Sequence, residues 1–319
     1  MQQSASICQK NKNGNINMIK RIFVLLSMMA LSLSSYAQSN RFEQRYNMLV
    51  SKFGPAGVGV ETLLDNWEAA DSTDAKVHIA RFQFWMEKAK TEQIVSKAEK
   101  KYLGMSPLFS LKDSTGTDVH YYQETFYDDE IYGNAIKAVD KAIALRPSDL
   151  EYRFMKANAY IAYEKGSPDM ALVYLQRLAD MHGDKWNYNS QEADEDFFAD
   201  AMQEYCYSFY TLGTPAALEA FRTLSETMGT IYPDNADFMN NIGAYWLVGM
   251  NDSKKALKQY QKVLKKFPGD MTAIKNCVII SRRDKNTKSE IKFLKMMEQY
   301  GEESDRASAQ LRIKALESR

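Results

Sequence analysis

The chain has 319 residues, of which 45% are apolar and 26% charged, with 41 basic residues balanced by 41 acidic ones. That length buries a sizeable core as one large domain or an extended array. The basic residues are mostly lysines spread over periodic segments without interleaved aromatics, a pattern that disfavours nucleic acid as a partner.

In chain order, residues 1–17 are a polar prefix, which suggests that translation starts at Met18. From there the sequence runs MIKRIFVLLSMMALSLSSYAQSN, with Lys20-Arg21 before an apolar run from Ile22 to Leu33 and Ser35-Tyr36-Ala37 before Gln38. Charged, apolar and small-x-small regions in that order form a secretory signal peptide, with cleavage expected after Ala37. The apolar run is short for a membrane span, and no later segment is apolar enough to cross a bilayer. No cysteine follows the cleavage site, so an N-terminal lipid is not expected; the reading is an exported protein, periplasmic or secreted. Removing residues 1–37, which hold four basic and no acidic residues, leaves a net charge of −4. Residues 121–250 carry 9 basic and 21 acidic residues, whereas 251–319 carry 17 and 9. Such polarity steers charged partners or reflects solvated helix faces.

Residues 38–129 read as an irregular helical region. Phe42 to Phe53 is a helix, GPAGVG a break, and Val60, Leu64 and Trp67 share one helical face. Asp74 caps the next helix, which carries Ile79, Ala80, Phe82 and Trp85. Around Ser114-Thr115-Gly116-Thr117 the residues alternate, predicting a small inserted β-hairpin near residues 108–123.

Residues 130–301 carry a recurring pattern. NAIKAVDKAIALRPSD places Ala135, Val139 and Ala142 on one helical face and ends at Pro147. The same spacing returns as Ala171, Leu175, Leu178, Gly183; Ala217, Phe221, Leu224, Gly229; Ala256, Tyr260, Val263, Pro268; and Ser289, Phe293, Met296, Gly301. Each set is the second helix of a pair, with a small residue at the crossing and a Gly or Pro ending the helix. Upstream lie first helices with one small residue amid bulky ones: Ala157, Cys206, Gly243 and Cys277. Export permits Cys206 and Cys277 to pair, but both occupy the small slot of separate crossings and read as core thiols. A polar insertion, GDKWNYNSQEADED, precedes Phe197, and residues 302–319 form a capping helix.

This pattern resembles the tetratricopeptide repeat (TPR) family, whose unit is a helix–turn–helix of ~34 residues. Ile242-Gly243-Ala244-Tyr245-Trp246 followed by Ala256, Tyr260 and Pro268 carries the likeness best. The resemblance implies an all-α solenoid that binds protein or peptide on a concave surface made by the first helices. In that register Phe154, Asn158, Gln203, Tyr207, Tyr210, Asn240 and Ala244 face the groove.

Chemistry is otherwise sparse. His78, His120 and His182 are isolated from metal-ligand partners. No phosphate loop is present, and Asp128-Asp129-Glu130 and Asp194-Glu195-Asp196 lack the alternation of a calcium loop, so they read as helix caps. No catalytic residue, metal or cofactor is expected. The reading is a non-enzymatic scaffold for a protein or peptide; the alternative is an exported glycan-binding component, suggested by 19 Tyr and 4 Trp.

Overall fold

Acidic, amide and hydroxyl side chains cap most of the helix starts. The computed structural model describes residues 40–318, so the signal segment and its cleavage site lie outside the described residues. Asp74, Asp128 and Asp194 accept hydrogen bonds from Lys76, Ile131 and Phe197 backbone N–H groups, opening α3 (Ala75–Ala89), α4 (Asp129–Leu145) and α7 (Glu195–Leu212). Both acidic clusters thus serve as caps, the carboxylates sitting where the helix dipole favours negative charge.

The chain divides into two compact units. The first comprises the residues up to Thr91 and Tyr127–Pro147. Within it, α1 (40–53) and α2 (Val60–Ala70) enclose a core of Tyr46, Val60, Leu64 and Trp67, with Phe42 stacked 6.1 Å from Trp67. Here α3 and α4 pack against each other as a helix pair.

The second unit comprises Glu92–Phe126 and Ser148–Arg319. Its helices are paired in sequence order: α5 (Leu150–Glu164) with α6 (Asp169–Ala179), α7 with α8 (Pro215–Ile231), α9 (Ala236–Ala244) with α10 (Ser253–Lys266), and α11 (Met271–Arg283) with α12 (Thr287–Tyr300). The last helix, α13 (Glu303–Glu317), closes the stack against α12. The expected small residues lie at the crossings: Ala157, Ala171, Cys206, Ala217, Ala256 and Cys277 are all fully buried. Both cysteines are free, and burial pushes each thiol up to about 12. The architecture is therefore the anticipated TPR-like series of helix pairs.

Several details depart from expectation. The hairpin is present, with Phe109 opposite Tyr121 and Leu111 opposite Val119, formed by β2 (Phe109–Lys112) and β3 (Asp118–Tyr127). It is enlarged by β1 (Lys90–Lys97), giving a three-stranded sheet in the order β1-β3-β2. Lysine and glutamate dilute the alternation in KTEQIVSK, and every residue of β1 is at least partly exposed, so no burial period marks the strand. The polar insertion contains a second hairpin, β4 (Trp186–Tyr188) with β5 (Gln191–Ala193), anchored by the buried Trp186. Gly229 does not end its helix: α8 continues to Ile231 and stops before Pro233. Gly229 keeps ordinary helical geometry, whereas the proline following Tyr232 disfavours continuation. Finally, α9 widens after Ala244 into a single π-turn, Tyr245–Gly249, in which the Met250 N–H donates to the Tyr245 carbonyl at 3.0 Å.

Candidate binding pocket on the first helices

The spacing of α7 sets one wall of a pocket. Gln203, Tyr207 and Tyr210 stand at i, i+4 and i+7 and so share a face. Across from them α9 presents Asn241 and Ala244, and the π-turn adds Leu247 and Val248. Phe221 and Tyr260, from the second helices α8 and α10, complete the lining together with Asn276 of α11. The cavity measures about 260 Å³. A neighbouring depression of about 410 Å³ shares Tyr207, Tyr210 and Val248 and extends to Lys101 and Gly104.

The polar side of the pocket is pre-organised. The Gln203 amide donates to Asn241 Oδ1 at 3.2 Å, and Asn241 Nδ2 donates back to Gln203 Oε1 at 2.8 Å and to Ser225 Oγ at 3.1 Å. Asn241 is buried, so this reciprocal pair satisfies groups that would otherwise lose their hydration. Above it Tyr207 and Tyr210 stack with ring centroids 6.4 Å apart and planes 28° apart. Tyr207 is 60% exposed and Val248 55%, so an aromatic and an aliphatic side chain flank the opening.

The π-turn inserts one residue into the helical register and changes which side chains reach the pocket. Its start is held by the Tyr245 hydroxyl, which donates to Glu219 Oε2 at 2.7 Å. Glu219 is in turn paired with Arg222, whose hydrogen bond holds the Glu219 carboxyl below its ordinary range.

Of the residues assigned to the groove from the TPR register, Gln203, Tyr207, Tyr210 and Ala244 come together in this pocket. Asn158 is exposed on α5. Phe154 is partly buried between Tyr205 and Tyr188, with ring centroids 5.6 and 6.2 Å away, and its carbonyl accepts from the Tyr205 hydroxyl. Asn240 is buried and donates to Asp270 at 3.0 Å, while its neighbour Asn241 lines the pocket. In the TPR register the groove does not reach the other lining residues, Leu247, Val248, Phe221, Tyr260, Asn241 and Asn276. The π-turn that orients the first two has no marker in YWLVG, and Tyr260 reads as a core residue.

The histidines are held locally. His78 Nε2 lies 2.9 Å from the Ser72 carbonyl, His120 Nδ1 2.6 Å from Ser110 Oγ and His182 Nδ1 3.0 Å from the Ala179 carbonyl. Among the described residues no group of His, Cys, Asp and Glu has a metal-binding arrangement, and no helix is long and apolar enough to cross a membrane.

No protein-family model matches the chain, and no curated protein matches it. Among solved structures it is similar to MamA of Desulfovibrio magneticus RS-1, from residue 41 of that protein to its end, at 12% identity over 73% of this chain and 97% of that one, with a TM-score of 0.33. It is also similar to the TPR domain of P58(IPK), at 10% identity over 90% of this chain and 67% of that one, with a TM-score of 0.29. The assignment rests on the chain's own helix pairs and their small-residue crossings: this is a TPR-like helical repeat protein.

Proposed function

We propose that the protein is a non-enzymatic scaffold that holds a protein or peptide partner in the pocket between α7 and α9. The observation that carries the reading is the pairing of exposed Tyr207 and Val248 with a part-buried, mutually hydrogen-bonded Gln203–Asn241 pair beside the same cavity. Apolar side chains of a partner gain burial against Tyr207, Val248 and Leu247, and its backbone amides meet rigid side-chain amides. Because the amide pair is already ordered, little conformational entropy is lost on binding.

A second reading, glycan binding, draws support from the Tyr207–Tyr210 stack, an aromatic platform beside amide groups that suits the apolar face of a sugar ring. A random-peptide library and a glycan array, each screened with the full chain and with the Tyr207→Ala variant, separate the two. Peptide ligands lost in the variant support the scaffold; glycan ligands lost in the variant support the alternative. Binding by neither class, or binding indifferent to Tyr207, overturns both assignments of this pocket.

The charged, apolar and small-residue order before Gln38 supports export with cleavage after Ala37. N-terminal sequencing of the mature protein is expected to begin at Gln38; a product retaining Met18 in the membrane contradicts it.

A further inference from the structure

The second helices carry a surface of different chemistry. Helix α10 holds six lysines and no acidic residue. Lys258, Lys262 and Lys265 stand at i, i+4 and i+7, forming a row about 10 Å long at the α-helical rise. Helix α12 repeats the spacing with Lys288, Lys292 and Lys295. Stacking of consecutive helix pairs leaves a channel of about 570 Å³ between these helices, lined by Lys258, Lys262, Lys265 and Lys292. Its floor is apolar, formed by Leu264, Phe293 and Met296. These four lysines are exposed, and none forms an ion pair with another described residue. Elsewhere on these helices Lys255 pairs with Asp252, Lys266 with Asp234, and Glu290 of α12 is turned inward to Arg282 and Arg312.

We propose that this channel docks an acidic peptide segment of a partner protein, one that also carries a large apolar side chain. Carboxylates along the segment meet the α10 lysines and Lys292, while the apolar side chain lies on Leu264, Phe293 and Met296. Charge complementarity selects the partner, because uncompensated ammonium groups along one channel attract an anionic chain over about a Debye length. The concavity selects a peptide over a membrane surface: the apolar residues of α10, including Ala256, Tyr260 and Val263, are buried in the core and cannot insert into lipid. The lining offers neither arginine forks nor an exposed aromatic platform for nucleic-acid bases. This surface is separate from the pocket between α7 and α9 and does not depend on it.

The test is a phage-displayed random-dodecapeptide library panned on the full chain, followed by titration of the enriched peptides made synthetically. Peptides rich in Asp and Glu with a Leu, Phe or Trp are expected. Their affinity should fall about tenfold or more in Lys258→Glu/Lys262→Glu/Lys292→Glu and fall steeply between about 50 and about 300 mM salt, while Tyr207→Ala leaves it unchanged. The lysines are exposed, so the triple variant should retain its circular dichroism and melt; if it does not, Lys258→Gln/Lys262→Gln/Lys292→Gln replaces it. Enrichment without acidic bias, or equal binding by the lysine variants, overturns the proposal. So does equal, lysine-dependent binding of phosphatidylglycerol vesicles or single-stranded DNA, which makes the channel a general anion surface. Salt-sensitive self-association lost in the lysine variants also overturns it, by making the occupant a second copy of the chain.

Discussion

Gly243→Ala adds one methyl group at the point where α9 meets α10. On helix propensity alone it stabilises, since alanine is favoured over glycine by about 1 kcal/mol in a helix interior. The structure reverses the sign. A Cβ on Gly243 stands 2.5, 2.6 and 2.9 Å from three ring carbons of Tyr260, where apolar carbons prefer about 3.5–4.0 Å. Tyr260 is 1% exposed and embedded among the residues of α10 and α11, so its ring must retreat about 1 Å against packed neighbours or into the pocket it lines between α7 and α9, giving up its present contacts either way. Overpacking of this kind costs about 1–3 kcal/mol. Subtracting the propensity gain leaves a net loss near 1 kcal/mol, or about 2–4 °C in Tm for a unit of this size. Urea and thermal melts of wild type, Gly243→Ala, Tyr260→Leu and the double variant test it as a cycle. In the Tyr260→Leu background the methyl enters space vacated by the ring, and Gly243→Ala should stabilise there; the coupling between the sites should reach about 1–3 kcal/mol. If Gly243→Ala stabilises the wild type, or acts equally in both backgrounds, the close crossing at Gly243 is refuted. The side chain nearest a Cβ on Gly243 is thus Tyr260, four residues beyond the small Ala256 of the same helix.

Cys206 and Cys277 are buried thiols raised to about 12, so both should resist a thiol reagent at pH 8 in the folded protein and react together on unfolding; a rapidly labelled thiol or a stoichiometric Cys206–Cys277 bridge contradicts this. Glu290 is buried and accepts from Arg312 at 2.8 Å and Arg282 at 3.0 Å; the Arg312 hydrogen bond, with that of Arg282, holds its carboxyl below the ordinary range despite burial. Its ionised form therefore contributes stability that is fully present above the unfolded value of about 4.3 and is lost as pH falls through the lower folded value. Glu290→Gln should cost about 1–3 kcal/mol at pH 7 in urea melts, with the difference shrinking under acid; a difference that is constant with pH refutes the ionic account. Gly213 closes α7 with φ +70, a left-handed conformation, and Gly213→Ala should cost about 1 kcal/mol with Gly213→Asn less harmful; equal melts for all three sequences contradict the left-handed cap.

Much of the architecture is legible in local order. The 3.6-residue period, the Asp caps and the recurring small residues at Ala157, Cys206, Gly243 and Cys277 announce helix pairs because burial of one helical face and satisfaction of its first N–H groups are short-range demands. The hairpin at Gly116 is legible for the same reason: Asp113 Oδ1 accepts from the Thr115 and Thr117 N–H groups within five residues. What local order leaves open is how one helix is rotated against the next. Asn240 and Asn241 are adjacent and chemically identical, yet one turns to Asp270 and the other lines the pocket, a choice made by partners 30 and 38 residues away. The π-turn at Tyr245 depends on Glu219 in another helix, and β1 becomes a strand only because β3 supplies its hydrogen bonds. The lysine spacing on α10 and on α12 is visible in each segment alone. Only the stacking of successive pairs sets Lys292 of α12 across an apolar floor from the α10 row, because the angle between helices is decided by side-chain packing across their interface rather than by either helix's own period.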